Sequence, residues 1–454
     1  MNRSMASVVA LLVYASSVLL VSAEVEQWES SQQAQSWMNK LDPIQTSSPS
    51  KEEATVLIDP SKTYQSILGV GASLEHSTCW NLSQLNAALR SDVIRQIVGP
   101  QVGNGMNIMR ICIGASDFIG EPFYSYDDRP DGETDLDLAH FSIEKDRAYV
   151  LPVLKEALAV NPDLLFVASP WSPPAWMKDN GSLKHGRLLR KYYAVYAQYL
   201  VKFINAYQAE GVPIYAITPQ NEPDFPNRHY PTCYWSAEDQ RIFIRDFLGP
   251  QLRKASVTTP IWCWDHNWNK LNFPRTILKD PKAAQYVSGA AFHLYEGKPA
   301  AQTELKEEFP EKDIFFTEGS TFQTRGAIEI IEIFRNWART YMAWVVLLDE
   351  NQKPNNGPHD ATPTSIERLA DNRVRYNFDH SMYGHFSRFI QRGAVRIASS
   401  EGDNNFANLV VRNPDGSIVV VVANNGVEKT ISVRCGDQEF NDVIAAKTVK
   451  TYRW

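Results

Sequence analysis

The sequence predicts an α/β protein: a closed (β/α)8 barrel followed by a small antiparallel β domain. Three observations carry that reading. Eight short apolar β-type runs recur between about residues 66 and 382, and amphipathic helical stretches separate most of them. After about residue 382 the pattern switches to short strands joined by strong hairpin turns. The glycine-rich first turn with a nucleotide role, which the competing doubly wound sheet would usually carry, is missing.

Residues 1–23 have the pattern of a secretory signal. Arg3 supplies the positive end, an apolar stretch spans 8–21, and Val21-Ser22-Ala23 is a small-residue cleavage site. The expectation is a secreted chain cleaved near Ala23, with no stable membrane insertion, since no later run is long and apolar enough to span. Residues 24–50 are rich in Gln and Ser and lack periodicity, and they read as a linker. Residues 51–65 read as N-terminal strands, a hairpin split at Asp59-Pro60-Ser61, too short to stand alone and expected to join the C-terminal domain.

The eight barrel strands are expected at 67–70, 107–113, 164–169, 214–218, 260–264, 290–294, 314–317 and 342–347. The clearest helix lies between the third and fourth. Leu189, Tyr192, Tyr196, Tyr199, Leu200, Phe203 and Tyr207 fall at helical spacing, and Gly211 stands at its C-terminal end. The next helix opens with Ser236 and Asp239 in a capping pattern. Beyond the barrel (66–382), the segment 383–454 carries four strand-like runs around the turns Asn413-Pro414-Asp415-Gly416 and Asn424-Asn425-Gly426.

Composition excludes some functions. A net charge of −7 with no Lys/Arg cluster argues against nucleic acid as a partner. The five cysteines form no CxxC, which removes zinc-ribbon and thioredoxin readings; a disulfide among Cys79, Cys233 and Cys435 stays open. Asn81 and Asn180 each begin an N-glycosylation triplet.

In a barrel the C-terminal strand ends converge on one face, whatever their separation in sequence. Those ends carry Arg110 and Asp117 (second strand), Trp171 and Trp176 (third), Asn221 and Glu222 (fourth), His293 and Tyr295 (sixth) and Glu318 (seventh). Pro219 and Pro223 bracket Glu222 and stop the fourth strand there. Two strand-end carboxyls among aromatic groups suit glycosidic cleavage, in which one protonates the leaving oxygen and the other stabilises or attacks the anomeric carbon. Aromatic rings also pack well on the C–H faces of sugars.

At these residues the chain resembles glycoside hydrolase family 30, a clan A family, in its glucosylceramidase-like branch. The resemblance runs from about residue 55 to the C-terminus. It rests on the 59–72 segment ending in Gly69-Val70-Gly71-Ala72, on Arg110 to Phe118, on Ser169 to Lys178, on Pro219 to Pro223, on Thr317-Glu318-Gly319, and on His385 to Ile390. It implies a barrel with a side β-sandwich and a retaining β-glycosidase, with Glu222 as acid/base and Glu318 as nucleophile. It implies that Asn221 holds the sugar 2-hydroxyl and that Arg110, Asp117, Trp171, His293, Tyr295 and Trp344 line the first sugar site. No cofactor and no metal are implied. Two positions depart from the family pattern: Glu75-His76 stands where a Thr followed by Asp or Glu is usual, and Val345 follows Trp344 where glucosylceramidases carry Asn.

The expected activity is therefore exo-cleavage of β-glucosides or glucosylceramide-like glycolipids. An endo-acting β-1,6-glucanase or a xylanase-like enzyme is the alternative within the family. A glycan-binding protein without catalysis and a metal-dependent hydrolase using His293, Asp265 and His266 are the readings outside it; no metal-ligand spacing such as HExxH supports the latter. For the retaining mechanism, burial and neighbouring negative charge are expected to raise the pKa of Glu222 and keep it protonated near neutral pH.

Overall fold

The computed structural model describes residues 23–120, 122–225, 227–356 and 364–454. The expected signal segment, apart from Ala23, lies outside the described residues. Eight parallel strands close a barrel: β1 (Gly69–Ser73), β2 (Ile108–Ile113), β3 (Leu165–Pro170), β4 (Ile214–Ile217), β5 (Ile261–Asn267), β6 (Val287–His293), β7 (Asp313–Glu318) and β8 (Thr340–Ala343). Neighbours in sequence are neighbours in the sheet, β8 pairs with β1, and a bridge between Ile314 and Ala338 completes the ring. All eight expected strands are present, with ends shifted by a few residues. The eighth is shorter than expected: Leu347–Asp349 leaves the barrel and joins a separate three-stranded sheet with Ile366–Leu369 and Arg373–Tyr376.

The anticipated helix forms at Tyr193–Ala209, and Gly211 takes a positive φ of 80° just beyond it, where a side chain would be strained. Ser236 caps the next helix by accepting from Asp239 N at 3.1 Å.

The barrel interior is built in layers because inward residues recur every second position. The lower layer holds Ile108, Val167, Ala216, Trp262, Ala291, Phe315 and Met342, with Leu68 from the approach to β1. Trp262 and Phe315 stack at 3.7 Å and plug it. Two residues further along six strands stand Arg110, Ser169, Thr218, His293, Thr317 and Trp344. A dry apolar floor thus carries a polar layer at the C-terminal mouth.

The second unit is one continuous nine-stranded sheet. Its order is Gln438–Ile444, Lys429–Cys435, Val56–Ser66, Val395–Ser399, Phe406–Arg412, Ile418–Asn424, Thr448–Arg453, Glu24–Ser31 and Ser36–Gln45. The strand Ile418–Asn424 is apolar without alternation because both faces are buried. Val419, Val421 and Ala423 pack toward the barrel core, while Val420 and Val422 join Val56, Ile58, Phe440 and Tyr452 inside the sandwich.

Three expectations are corrected here. Residues 24–45 are not a linker: Glu24–Ser31 pairs with Thr448–Arg453 and with Ser36–Gln45, and its polar side chains hid a strand whose backbone pairing supplies the stability. The 55–68 region is not a hairpin but one strand, Val56–Ser66. The Asp59-Pro60-Ser61 turn is absorbed as a bulge, where the partner of Ile397 is Thr63 and that of Ala398 is Asp59. The boundary placed at 382 falls inside the helix Phe378–Ser387, whose residues are all buried. Its His385 sits between Thr451 Oγ1 (2.8 Å) and Ser30 Oγ (2.9 Å), so the helix ties the two units together. Two open points are also answered: all five cysteines are free, and Asn81 is buried, bonded to Ser77 O, Lys353 O and Arg368 Nε, so it is closed to glycosylation.

Candidate active site

Every site residue expected from the sequence lies at the C-terminal mouth of the barrel or just behind it. Asp117, Glu222, Tyr295, Glu318 and Trp344 line a cavity of about 540 Å3. Arg110, Trp171, Asn221 and His293 are buried and do not form its wall. Arg110 is the hub. Its guanidinium donates to Glu318 Oε2, to Asn221 Oδ1 at 2.7 Å and to Asp265 Oδ2 at 2.9 Å. It lies over Trp171, which stacks on Trp344 with centroids 5.2 Å apart. Trp171 therefore acts on the cavity through Arg110 and Trp344. Trp344 is held in turn by its N–H to Gly319 O at 3.0 Å and by Ser320 Oγ donating to its carbonyl.

The two carboxylates are held very differently. Glu318 accepts from Arg110 on Oε2 and from the Tyr295 hydroxyl on Oε1 at 2.8 Å. Tyr295 is 44% exposed at the cavity rim while its hydroxyl donates inward to Glu318. Glu222 has a positive φ of 46°, a conformation that costs a non-glycine residue about 1–3 kcal/mol and persists only where its surroundings impose it. They do: Glu222 N donates to Asp265 O at 3.0 Å, and Asn221 N donates to Pro170 O at 2.8 Å. His293 Nδ1 stands 3.2 Å from Glu222 Oε1 and 3.9 Å from Glu318 Oε1, which caps the separation of those two oxygens at about 7 Å.

Asp265 and His266 complete the site; the sequence offered them only as ligands in the metal-dependent alternative, not as residues of the glycosidase site. Asp265 is fully buried and accepts from Arg110, Ser169 Oγ (2.9 Å), Thr218 Oγ1 (2.7 Å) and Thr317 Oγ1 (2.6 Å), and it faces His293 Nε2 at 3.1 Å. Alternation along β5 from Trp262 would aim Trp264 inward. Instead Trp264 and Asp265 both take positive φ, 74° and 66°, and the register with β6 slips there. The bulge sends Trp264 to the outer core and turns Asp265 into the barrel. The available signal was Asp265-His266-Asn267 immediately after the expected fifth strand. A second slip, between Phe316 and Glu318 on β7, lets both Thr317 and Glu318 reach the site.

The electrostatics correct one expectation. Burial works to raise Glu222, but His266 and His293 beside it outweigh burial and hold its carboxyl well below the usual range. Burial works to lower His293, while Glu318, Asp265 and Glu222 push it up to about 9. The surroundings thus favour an ionised Glu222 beside a protonated imidazole, the reverse of the expectation. Burial, together with Glu318 and Glu222, pushes Asp117 up to about 8. Burial opposes the charge on Arg110, and Asp265 and Glu318 overcome it and hold Arg110 firmly protonated.

Comparison with known proteins agrees with this geometry. Residues 67–390 match the glycosyl hydrolase family 30 TIM-barrel domain, and residues 393–452 match the family 30 beta-sandwich domain. The chain is 32% identical over 403 residues to an endo-1,6-beta-D-glucanase of Neurospora crassa, covering 83% of each chain. It is 29% identical over 437 residues to the lysosomal acid glucosylceramidase of Mus musculus, covering 87% of this chain and 82% of that one. Its structure is similar to that of the endo-beta1,6-glucanase BT3312, with a TM-score of 0.85 and 30% identity over 95% of this chain and 100% of that one. With both domain models matched in order across nearly all of the described residues, this chain is a glycoside hydrolase and belongs to family 30.

Proposed function

We propose that this protein is a secreted, retaining endo-β-1,6-glucanase. The observation that carries the chemistry is the pair of carboxylates on either side of His293, one fastened by Arg110 and Tyr295, the other free of any cationic clamp except imidazole. Glu318 attacks the anomeric carbon as the glycosidic C–O bond breaks, and Glu222 delivers a proton to the departing oxygen. Because His293 holds the proton beside Glu222 Oε1, Glu222 takes it across that 3.2 Å contact as the leaving oxygen develops charge. Water then attacks the glycosyl ester of Glu318. Glu222 removes the water's proton, Glu318 leaves as carboxylate, and the configuration at carbon is retained. Asn221 has its Oδ1 engaged by Arg110, so its amide Nδ2 serves the sugar 2-hydroxyl.

Endo action is favoured over the exo reading by the similarity to endo-1,6-glucanases and by the shape of the mouth. A second cavity, of about 690 Å3, shares Asp224, Asn269 and Lys270 with the first, so a chain has room to continue past the site of cleavage. The likeness to a glucosylceramidase supports a second reading, exo-cleavage of β-glucosides or glucosylceramide. Secretion rests on the residue 1–23 pattern. Among the described residues no helix is long and apolar enough to cross a membrane. Early products from β-1,6-linked glucan decide between the readings. Mixed oligosaccharides support endo action; glucose alone, or turnover confined to aryl β-glucosides and glucosylceramide, overturns it.

A further inference from the structure

We infer that Glu222, His266 and His293 form a binding site for one zinc-like divalent cation, which holds the free enzyme in an inactive state. One donor atom from each of these residues lies within 4.8 Å of the others. Two edges of that triangle run from Glu222 Oε1 to His293 Nδ1, 3.2 Å, and to His266 Nδ1, 3.4 Å. Zinc binds such ligands at about 2.0–2.1 Å, so two ligands in tetrahedral arrangement stand about 3.3 Å apart. Both distances match a metal's coordination edge, and the 3.2 Å one is a hydrogen bond while the metal is absent.

Two further features point the same way. His266 is 5% exposed, yet its Nδ1 makes no hydrogen bond: it faces Glu222 without the geometry to donate to it. A ring free of hydrogen bonding at that atom can turn slightly to close the third edge. His293 already has the support that metal-bound histidines require. Its Nε2 faces the buried carboxylate of Asp265 at 3.1 Å, and with that nitrogen donating, the Nδ1 lone pair is aimed at the site. Glu222 and His266 line the open cavity, so the ion has a route in and water can fill the fourth position.

On binding, the ion accepts lone pairs from Glu222 Oε1 and the two imidazoles and displaces the proton between His293 and Glu222 into solvent. Nothing is oxidised or reduced. Glu222 then has no proton to give, and the ion's charge lowers the basicity of its carboxylate, so hydrolysis stops until the ion leaves; this consequence, unlike the binding itself, rests on the catalytic role proposed for Glu222.

The test is calorimetric titration of zinc chloride into chelator-treated full-length protein, with the visible spectrum of bound cobalt(II) as a second readout. The expected result is one ion per chain and a four-coordinate cobalt spectrum. His266→Ala and the isosteric Glu222→Gln each weaken binding about tenfold or more. Glu318→Gln retains the three ligands and binds one ion as the wild type does, which separates failure of the metal site from failure of the catalytic reading. Circular dichroism confirms that each variant is folded. Absence of a one-to-one event up to millimolar zinc, or binding that survives both ligand substitutions, overturns the inference.

Discussion

Asp265→Asn removes one charge and changes no shape. In the wild type the carboxylate accepts from Arg110, Ser169, Thr218 and Thr317 and faces His293 Nε2, with no exposure to solvent. An Asn side chain has one acceptor oxygen. If that oxygen stays with Thr317 and His293, the amide NH2 is driven against Arg110 Nη2, where a donor meets a donor. The opposite flip restores Arg110 and sets the NH2 against Thr317 and His293. Either way a buried cation loses half of its carboxylate pairing, a change that costs about 3–5 kcal/mol when one member of a buried pair is removed. The expected result in urea unfolding is a stability loss of that size with an unchanged m-value. If the strain falls on the site instead, kcat/KM on an aryl β-glucoside drops about 10^2–10^4-fold, since about 1.4 kcal/mol is a factor of ten. Ser169→Ala, which removes one neutral donor, costs about 1 kcal/mol. An Asp265→Asn protein with wild-type unfolding midpoint and wild-type turnover would refute the account of Asp265 as the anchor of Arg110 and His293.

Three further outcomes are expected. Glu318→Gln lowers turnover by about 10^4-fold or more, while Glu222→Ala recovers activity with azide on a substrate with a good leaving group; hydrolysis by Glu318→Gln at the wild-type rate contradicts the double displacement. Glu75, buried at the start of the helix His76–Ser83, accepts from Thr78 N at 2.7 Å, and burial raises its pKa to about 8. The unfolded chain ionises Glu75 near pH 4.5 and the folded one only near 8, so the wild type loses stability as pH rises through that window, by about 5 kcal/mol at most. Glu75→Gln removes that loss, and equal pH slopes for the two proteins would disprove it. Lys178 Nζ donates to Ser172 Oγ, Leu183 O and Thr232 O; Leu183 O keeps its bond from Thr232 N, so Lys178→Met strands the buried Thr232 carbonyl and costs about 1–3 kcal/mol, measured as the shift in ΔG of unfolding.

The strands of the barrel were legible because each is a short apolar run bounded by turn chemistry, and burial on both faces writes itself into composition. Strand Glu24–Ser31 was not: it is largely polar, and what holds it is pairing with Thr448–Arg453, more than four hundred residues away. The pairing of Glu222 with Glu318 was legible because barrel closure brings strand ends together whatever the loops between them. The charge state of Glu222 was not, because it depends on two histidines that approach it from β5 and β6.

The sequence by itself determined the barrel, the residues at its mouth and the presence of two carboxylates there, since periodicity and strand-end chemistry are local properties of the chain. Only the tertiary structure decided that Asp265 turns inward at a bulge, that Arg110 joins it to Glu318 and Asn221, and that two histidines favour the ionised form of Glu222. The physical reason is common to all three. A register slip, a buried ion network and a shifted pKa are set by what surrounds a residue in space, and the neighbours that set them come from different strands.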